Sequence, residues 1–465
     1  MVSRNVILVY MGAGIIVLGL IGSTYFYHGL VVNTRWVDLT RPRHFTLKSI
    51  DVTNTSVHLH GVLSKSLTET EHEVAIQIDD QLLKKLVQPS IATKAYFRYV
   101  PRQVRTADCK LLVNGDQENI SKAKMSTVGP PLNISVATEK CDAFKLRRGY
   151  ITDSLSEEER EFPVAFSILM FKDANQVERL LRAIYRPQNF YCVHVDTKTK
   201  PEVRKAMTSL ARCFDNVFLS SRSVSVRWGE YTVLEPELIC MEDLWHYKWK
   251  YFINLTGQEF PLKTNAQLVK ILTAYNGAND LEGTVKRANK HRWRHAGPPP
   301  HSITAVKGSV HIVASRGFVD YILHNSTAQD LLAWVKKTSV PDETFFSTLN
   351  HNPHLAVPGA YNGPPDNPKN PFLARFKNWY GQKIGNWSCT GKLVHSVCVF
   401  GAGDLPMLTT RPHLFANKFY WDFQHLALDC LEEWNYNQTR DEFLGESTFN
   451  ASYYKTLEFV KNKIE

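Results

Sequence analysis

The segment 164–198, VAFSILMFKDANQVERLLRAIYRPQNFYCVHVDTK, constrains the fold more than any other part of this chain. Its first eight residues, 164–171, form an apolar run that suits a buried strand. Apolar residues then recur at helical spacing, at Val177, Leu180, Leu181 and Ile184. Asn175 and Glu178 have the spacing of a capping box at the start of this helix. The segment therefore predicts a strand, a helix and a second strand in one run.

The second strand, residues 191–195, is apolar and β-branched, and it is followed directly by Asp196. A helix starting at Pro201 and a third strand at 216–220 come next, and a helical region broken or bent at Pro236 leads to a strand at 251–255. Strands joined by helices form parallel sheets, and open α/β sheets bind ligands at the carboxyl ends of their strands. The sequence thus predicts an α/β, Rossmann-like fold with His194 and Asp196 as ligand candidates.

The N-terminus carries an uncharged apolar stretch of 22 residues, 6–27, after a short tail of residues 1–5. This length matches the about 20 residues that span a membrane as a helix. A cleaved signal peptide is the alternative, but the run is longer than its usual apolar core and lacks a clear cleavage site. We therefore expect an uncleaved signal anchor, although the positive charges around it, Arg4 before and Arg35, Arg41 and Arg43 after, weakly oppose a lumenal body.

Cysteines and glycosylation sequons favour a lumenal, oxidising compartment despite that charge pattern. The chain has eight cysteines, an even number, and none lies in a spacing typical of zinc sites, so disulfides are expected. Asn254 begins a sequon within the apolar run YFINLTG, where burial is expected instead of glycosylation. The expected glycosylation sites are Asn54, Asn119, Asn133, Asn325, Asn386, Asn437 and Asn450.

Composition and an acidic stretch that ends in proline indicate the expected domain organisation. Residues 28–160 are polar, with short alternating runs at 57–63 and 72–78, and suit a lumenal stem and lead-in. An acidic stretch ending at Pro163 marks a boundary, so we expect the catalytic domain at 161–440 and a C-terminal tail at 441–465. Lys and Arg exceed Asp and Glu by 10. That excess fits an anionic ligand or a solvated surface, and no basic run interleaved with aromatic residues indicates nucleic acid.

Seven motifs resemble the β-1,6-N-acetylglucosaminyltransferases that branch O-glycans and I-type chains, and together they cover nearly all of residues 160–435. They are LLRAIYRPQNFYCVHVDTK (180–198), CFDNVFLSSR (213–222), INLTGQEFPLKTN (253–265), GSVHIVASRGFVDYIL (308–323), VPDETFF (340–346), SVCVFGAGDL (396–405) and HLFANKF (413–419).

The resemblance implies a type II Golgi membrane enzyme with a GT-A-like catalytic domain of central mixed sheet. Such an enzyme uses a UDP-sugar and inverts the anomeric centre without a metal or other cofactor. The sequence agrees on the metal, because residues 160–465 contain no Asp-x-Asp motif to hold Mn²⁺ or Mg²⁺ against a sugar diphosphate. Cationic side chains must then neutralise the leaving group.

The resemblance assigns donor and catalytic roles to a few residues. Lys418 stands where the family places a diphosphate-binding Lys, although an isolated lysine is usually a solvated surface residue. The family's second cation, an Arg, is replaced by His395, so a charged imidazole or another base such as Arg411 is expected to help. Pro341-Asp342-Glu343 is by itself a common helix start. The resemblance makes Glu343 the catalytic base and Asp342 a capping acid.

Acceptor recognition is implied for Glu282, Lys290, Arg292 and Trp379, because an aromatic face with charged groups suits a pyranose and its hydroxyls. Two departures stand out. The loop between Glu282 and Trp293 is one residue shorter than in the O-glycan branching enzymes. The family has a Tyr two residues after the tryptophan that corresponds to Trp379, and that position is Gly381 here, beside Tyr380.

The resemblance also implies a disulfide pairing, which the spacing of the cysteines leaves open. The family's unpaired Cys is Thr256 here, so no free thiol is expected. The implied pairs are Cys109 with Cys430, Cys141 with Cys213, Cys192 with Cys240, and Cys389 with Cys398.

The sequence therefore predicts a Golgi transferase that adds β-1,6-linked N-acetylglucosamine to a glycoprotein O-glycan of core 1 type or a related acceptor. The same chemistry with UDP-glucose, or with UDP-xylose as in peptide xylosyltransferases, is an alternative. A catalytically silent glycan-binding protein on the same fold is another, and a receptor ectodomain is a third. Whether the lumenal part forms a homodimer stays open.

Overall fold

The computed structural model describes residues 103–465 throughout and, before them, Phe97 and the backbone of six strands. The chain divides into two compact units, 1–101 and 102–465. Asn54 and most of the linking segments of the first unit lie outside the described residues.

In the first unit, Asn5–Met11 pairs antiparallel with Gly14–Leu20 where the sequence analysis predicted one apolar helix over 6–27. The run is rich in Val and Ile, which suit strands as well as apolar helices. Residues 12–13 and 21–27 of that predicted segment lie outside the described residues. No helix among the described residues is both long and apolar enough to cross a membrane.

The first unit also holds a four-stranded antiparallel sheet. The alternating runs at 57–63 and 72–78 lie within two of its strands, so those runs are indeed strands. In sheet order the strands are Leu30–Val32, Thr68–Ile78, Ser56–Lys65 and His44–Val52.

The second unit contains ten strands, which we number from its start. They are β1 (Val164–Met170), β2 (Phe190–Val195), β3 (Val217–Leu219), β4 (Tyr251–Thr256), β5 (Glu259–Pro261), β6 (Val313–Ser315), β7 (Arg375–Phe376), β8 (Lys392–Val394), β9 (Val397–Val399) and β10 (Phe415–Asn417).

The central sheet has the order β6-β4-β1-β2-β3. Strands β4, β1, β2 and β3 are parallel, and β6 joins the edge antiparallel, so the sheet is mixed as expected. The carboxyl ends of β1, β2 and β4 therefore lie along one edge. A second sheet has the order β5-β10-β7, and β8 and β9 form a separate hairpin.

The central sheet is buried on both faces because successive side chains of a strand point to opposite sides. Phe166 and Ile168 of β1 belong to one core cluster with Leu181, whereas Ala165 belongs to another with Met241. A third cluster lies around β5, β7 and β10. These layers make β1 the centre of the unit.

Helices cover these clusters. The α-helices are Cys109–Val113, Gln117–Lys124, Ile134–Ala137, Cys141–Arg148, Glu157–Arg160, Ala174–Ile184, Pro201–Ala211, Glu235–Trp245, Asn265–Tyr275, Arg316–His324, Ser326–Val335, Phe345–Asn350, Leu405–Leu408, Leu426–Leu444, Ser452–Lys455 and Glu458–Lys461. The 3₁₀ helices are Tyr231–Val233, Lys290–Trp293, Pro341–Glu343, Pro353–Leu355 and Ala402–Asp404. Pro201 and Pro236 each lie in the first turn of their helix.

The predicted capping box of the helix Ala174–Ile184 is wrong. Its N-cap is Asp173, and no side chain caps the helix. The Asn175 amide instead exchanges hydrogen bonds with the backbone of Leu132. Glu178 is buried and forms an ion pair with Arg148 at 2.6 Å. Partners from distant parts of the chain thus outcompete the local cap.

All four implied disulfides are present, and the described residues contain no free cysteine. Cys109–Cys430 joins the helix Cys109–Val113 to the long helix Leu426–Leu444. Phe144, before the expected start of the catalytic domain at 161, is buried in the same cluster as β1. Tyr454 and Phe459, within the expected tail 441–465, belong to it too. The compact unit is therefore longer at both ends than expected.

The sequons differ in accessibility. Asn254 is buried as expected, with its amide bonded to Glu237 and to the backbone of Val310 and Ile312. Asn133, Asn386 and Asn450 are exposed, and Asn119, Asn325 and Asn437 are half-buried. Glycosylation of these six stays a prediction.

Candidate active site

Asp196 and His194 hold a loop against the end of β2. The Asp196 carboxylate accepts hydrogen bonds from the backbone of Lys198 at 2.8 Å and of Val226 at 3.2 Å. His194 Nε2 accepts one from Val224 at 2.9 Å. Burial lowers the pKa of His194 to about 4, so its imidazole is neutral. Both ligand candidates thus shape this edge, Asp196 as its acidic group.

An exposed aromatic ring lies beside Asp196 at the end of β1. Phe171 is 50% exposed, and the Lys198 ammonium lies 5.6 Å from its ring centroid. Thr199 Oγ1 donates to the Phe171 carbonyl at 3.0 Å. The sequence analysis placed Phe171 within a strand and gave it no role, although its place at the strand's carboxyl end was a usable signal.

The structure brings His395 and Lys418 to one turn. His395 and Ser396 connect β8 and β9 with φ of 52° and 61°, a two-residue hairpin turn that usually takes Asn or Gly. The Lys418 ammonium donates to the carbonyl of Val394 at 2.9 Å. Lys418 is buried, which lowers its pKa below the usual value, whereas His395 is exposed. Arg411, the other cation considered, instead lies over the ring of Phe376, 5.8 Å from its centroid.

Trp379 lies against the same hairpin. It pairs with Val397 in an isolated bridge, and the Tyr380 N–H donates to the Ser396 carbonyl at 2.8 Å. Trp379 is 49% exposed, so its ring is available to a ligand. The disulfide Cys389–Cys398 closes the hairpin beside it. The predicted aromatic residue Trp379 therefore lies next to the hairpin whose turn contains His395.

Glu343 ends the 3₁₀ helix Pro341–Glu343 and is held by two cations. Its Oε2 lies 2.5 Å from Arg292 Nη1 and 3.5 Å from Lys307 Nζ. Its side chain is 27% exposed. The carboxylate is thus oriented yet reachable by a ligand. Lys290, predicted to bind acceptor together with Arg292, is exposed in the same 3₁₀ helix.

The predicted role of Asp342 as a capping acid is wrong. Neither the 3₁₀ helix Pro341–Glu343 nor the helix Phe345–Asn350 has a side-chain cap. Asp342 is buried instead, and burial raises the pKa of its carboxyl to about 6. The N-cap position of the 3₁₀ helix is occupied by Val340, which is left-handed (φ 54°) and has no side-chain oxygen to accept a hydrogen bond.

Glycine places Glu282 near Glu343. The Gly308 N–H donates to the Glu343 carbonyl at 2.8 Å. A Cβ on Gly308 would lie 2.1 Å from the Glu282 carbonyl and 1.9 Å from Ser347 Oγ. Only glycine allows this approach, which packs the segments of both acids together.

Lys377 carries no role predicted from sequence. Its ammonium lies 5.9 Å from the Trp379 ring centroid, and the charges of Glu259, Glu282 and Glu343 act on it. Burial lowers its pKa below the usual value. Its position could be found from sequence only as a neighbour of Trp379.

A buried charge network lies next to the backbone that carries Lys418. Arg375 pairs with Glu259 at 2.8 Å, and Glu259 also accepts from Asn417 at 3.0 Å and Thr256 at 3.2 Å. Asn417 directly precedes Lys418. This network fixes the backbone that presents the diphosphate-binding candidate. No sequence pattern marks the network, because hydrogen-bonded partners within it lie up to 158 residues apart.

One cluster of metal-ligand types lies nearby. Of the described residues, Cys389, Cys398 and Asp404 come close enough together to hold an ion, but both sulfurs belong to the disulfide. Disulfide sulfur carries no negative charge and is a poor substitute for the thiolate that metals bind. This cluster therefore does not fit a metal ion.

Fold and site together define a class. An open α/β sheet carries an acidic group and an exposed aromatic ring at the carboxyl ends of its strands. A hairpin with basic residues, a second exposed ring and an accessible carboxylate lie outside the sheet. This is the arrangement of an enzyme that acts on a nucleotide-type ligand. The chain belongs to the Core-2/I-branching enzyme family, whose family model matches residues 164–406.

Relatives agree over most of the chain. It is 36% identical over 367 residues to human beta-1,3-galactosyl-O-glycosyl-glycoprotein beta-1,6-N-acetylglucosaminyltransferase 3, an alignment that covers 71% of this chain and 83% of the relative. It is 37% identical over 361 residues to the human transferase of the same name without a number, covering 70% and 84%. The bovine herpesvirus 4 transferase is 35% identical over 367 residues, covering 71% and 82%.

Proposed function

We propose that this enzyme transfers N-acetylglucosamine from UDP-N-acetylglucosamine, in β-1,6 linkage and with inversion, to an O-glycan of core 1 type or a related glycoprotein acceptor. The observation that carries the proposal is the accessible Glu343 carboxylate, whose Oε2 is held by Arg292 and Lys307. The names of the relatives support the donor and the linkage.

Glu343 acts as the general base. An inverting transfer needs a carboxylate within hydrogen-bond reach of the acceptor hydroxyl, on the side of the anomeric carbon opposite UDP. The partial exposure of Glu343 lets it take the proton as the new glycosidic bond forms. Arg292 and Lys307 restrict its rotamers, which aligns the two substrates for direct displacement.

The donor lies along the carboxyl edge of the sheet. Asp196 accepts hydrogen bonds from the nucleoside, and His194 acts indirectly because its Nε2 already holds the loop at Val224. Lys418, with His395 beside it, binds the diphosphate. Negative charge builds on the leaving phosphate as the donor bond breaks, and the Lys418 ammonium with a hydrogen bond from His395 stabilises it without a metal ion.

The acceptor lies over Trp379. Its ring covers the apolar side of a pyranose, while Glu282, Arg292 and the exposed Lys290 bind hydroxyl groups. Lys377, with its ammonium near the Trp379 ring, joins this set.

The apolar segment 6–27 anchors the protein in the Golgi membrane as a single-pass type II protein with a lumenal catalytic unit. Four disulfides and three exposed sequons support this side of the membrane. Protease protection of intact microsomes tests the topology: the catalytic unit should be digested only after detergent is added.

A silent glycan-binding protein is the second candidate, and the replacement of the family arginine by the exposed His395 is the observation that favours it. One assay separates the candidates. Full-length protein is offered UDP-N-acetylglucosamine, UDP-glucose and UDP-xylose with a galactosyl-N-acetylgalactosamine acceptor, in EDTA, and the product linkage is determined. β-1,6 transfer of N-acetylglucosamine supports the enzyme; UDP binding without any transfer supports the silent protein.

A further inference from the structure

Three lysines surround the ring of Tyr420. The ammonium groups of Lys392, Lys172 and Lys418 lie 5.3, 5.6 and 5.9 Å from its centroid. Lys392 also lies 4.4 Å from the ring of Phe423. Cation–π attraction at these distances holds ammonium groups near an aromatic face. Tyr420 is therefore the common platform of a cluster that we call the lysine triad, Lys172, Lys392 and Lys418.

The lysine triad is assembled from three distant segments at the donor side of the site. Lys172 follows Phe171 at the carboxyl end of β1, next to the exposed ring beside Asp196. Lys392 begins β8, and Lys418 follows β10. The triad thus lies between the candidate nucleoside position and the His395 turn, which is where a diphosphate would extend.

Among residues 103–465, one carboxylate lies within 4.0 Å of a triad ammonium group. Among residues 103–465, no carboxylate lies within 4.0 Å of the Lys392 or Lys418 ammonium; Lys418 donates to the Val394 carbonyl, and Lys392 contacts rings. Lys172 has only a long contact with Asp173, at 3.9 Å. Grouped like charges repel one another, and a bound anion removes that cost.

We propose that Lys172 and Lys392 bind the donor diphosphate together with Lys418 and stabilise the departing UDP. This inference rests on the proposed function and deepens it. When the bond between the anomeric carbon and the β-phosphate oxygen breaks, its electron pair stays on that oxygen, the acceptor oxygen bonds to carbon, and Glu343 takes the acceptor proton. The triad faces the new phosphate charge, so Lys392 supplies the positive charge that the family's arginine would supply.

The test compares ligands that differ in phosphate. Full-length protein is titrated calorimetrically with UDP and with uridine. Lys392→Ala and Lys172→Ala should each weaken UDP about tenfold, the loss expected for one charge-assisted contact, and leave uridine unchanged. Lys392→Arg should retain most of the UDP affinity. Lys383→Ala, an exposed lysine in the segment between Trp379 and β8, is the matched control and should bind like wild type.

The possible outcomes distinguish a failure of the lysine triad as the diphosphate site from a failure of the proposed function. If wild type binds UDP and both alanine variants bind it equally well, the lysine triad is not the diphosphate site, while the proposed function stands. If wild type binds neither UDP nor a UDP-sugar, the proposed function fails and the triad with it. A loss of uridine binding in the alanine variants would also overturn the inference, because the effect would then not lie at the phosphates.

Discussion

Arg292 Nη1 lies 2.5 Å from Oε2 of Glu343, so the proposed base is already ion-paired before substrates bind. Lys307, at 3.5 Å, contacts the same oxygen. A carboxylate with one oxygen occupied has the other free to accept a proton. The pair therefore orients the base without blocking it.

Replacing Arg292 should lower transfer by weakening this orientation. We expect Arg292→Ala to reduce kcat/KM about 100-fold, because small misplacements of a reacting group are costly. Arg292→Lys should recover part of the loss, since it keeps the charge but not the planar geometry. Initial rates with the core 1 disaccharide test this, and Arg294→Ala, an exposed neighbour, is the control. Equal rates for Arg292→Ala and wild type would contradict the assigned role.

The hairpin disulfide should matter more for activity than for stability. Removing Cys389–Cys398 with paired serine substitutions frees the segment that carries His395 and borders Trp379. The bridged residues are only 9 apart, so loop entropy predicts a stability loss of no more than about 3 kcal/mol. Transfer should nevertheless fall at least about tenfold.

The control for that experiment is the pair Cys141–Cys213, separated by 72 residues and located at helices away from the hairpin. In the entropic model, its removal should lower the free energy of unfolding more than removal of Cys389–Cys398 does. Transfer measured below the unfolding transition should fall less. Denaturant unfolding and initial rates would be measured on both variants. The reverse pattern would show that the hairpin is not a positioning element.

Buried Glu237 should make stability depend on pH. Burial raises the pKa of its carboxyl from 4.5 to about 7, while Ser167 and Asn254 donate hydrogen bonds to it. Between these values the native state keeps a proton that the unfolded state has lost. The free energy of unfolding therefore falls as pH rises through this range, and the full cost is present above about pH 7.

Glu237→Gln should remove this dependence. We expect the free energy of unfolding of the variant to rise relative to that of wild type between pH 5 and 7.5, by up to roughly 3 kcal/mol. Chemical denaturation across this pH range measures it. Glu242→Gln, exposed on the same helix, should change stability by less than about 0.5 kcal/mol at any pH. A gain for Glu237→Gln that does not grow with pH would contradict the account.

The enzyme should resist thiol reagents, because all eight cysteines are in disulfides. Treatment of native protein with N-ethylmaleimide should add no mass and leave transfer unchanged. Thr256→Cys would place a thiol at the end of β4, beside Glu259, and should make transfer sensitive to the reagent. Inhibition of the wild type would mean that a cysteine is free in solution.

Local patterns predicted the centre of the fold well. The apolar runs at β1, β2 and β4 gave the central strands, because buried parallel strands need near-continuous apolar residues. The disulfide pairing came from the family resemblance alone, since spacing leaves the pairing open. The capping box predicted from Glu178 was wrong because this side chain pairs with Arg148 from another helix. The apolar residues of 6–27 fit a helix or a strand equally well by pattern.

The site residues predicted from sequence are those that a motif or the family resemblance named. Glu343 and Lys418 stand in quoted motifs, and Trp379 was implied by the resemblance. Lys377, Lys172 and Lys392 stand in none of these motifs, and their environment exists only after distant segments converge. Lys172 and Lys392 are 220 positions apart in the sequence, yet both ammonium groups lie over the Tyr420 ring.

The most direct test of the central claim is transfer by Glu343→Gln in EDTA, with UDP affinity measured on the same preparation. The amide keeps the size of the side chain and cannot take the proton. We predict unchanged UDP binding and a fall in kcat of about 100-fold to 10,000-fold. Transfer within about threefold of wild type, with normal UDP binding, would show that Glu343 is not the base.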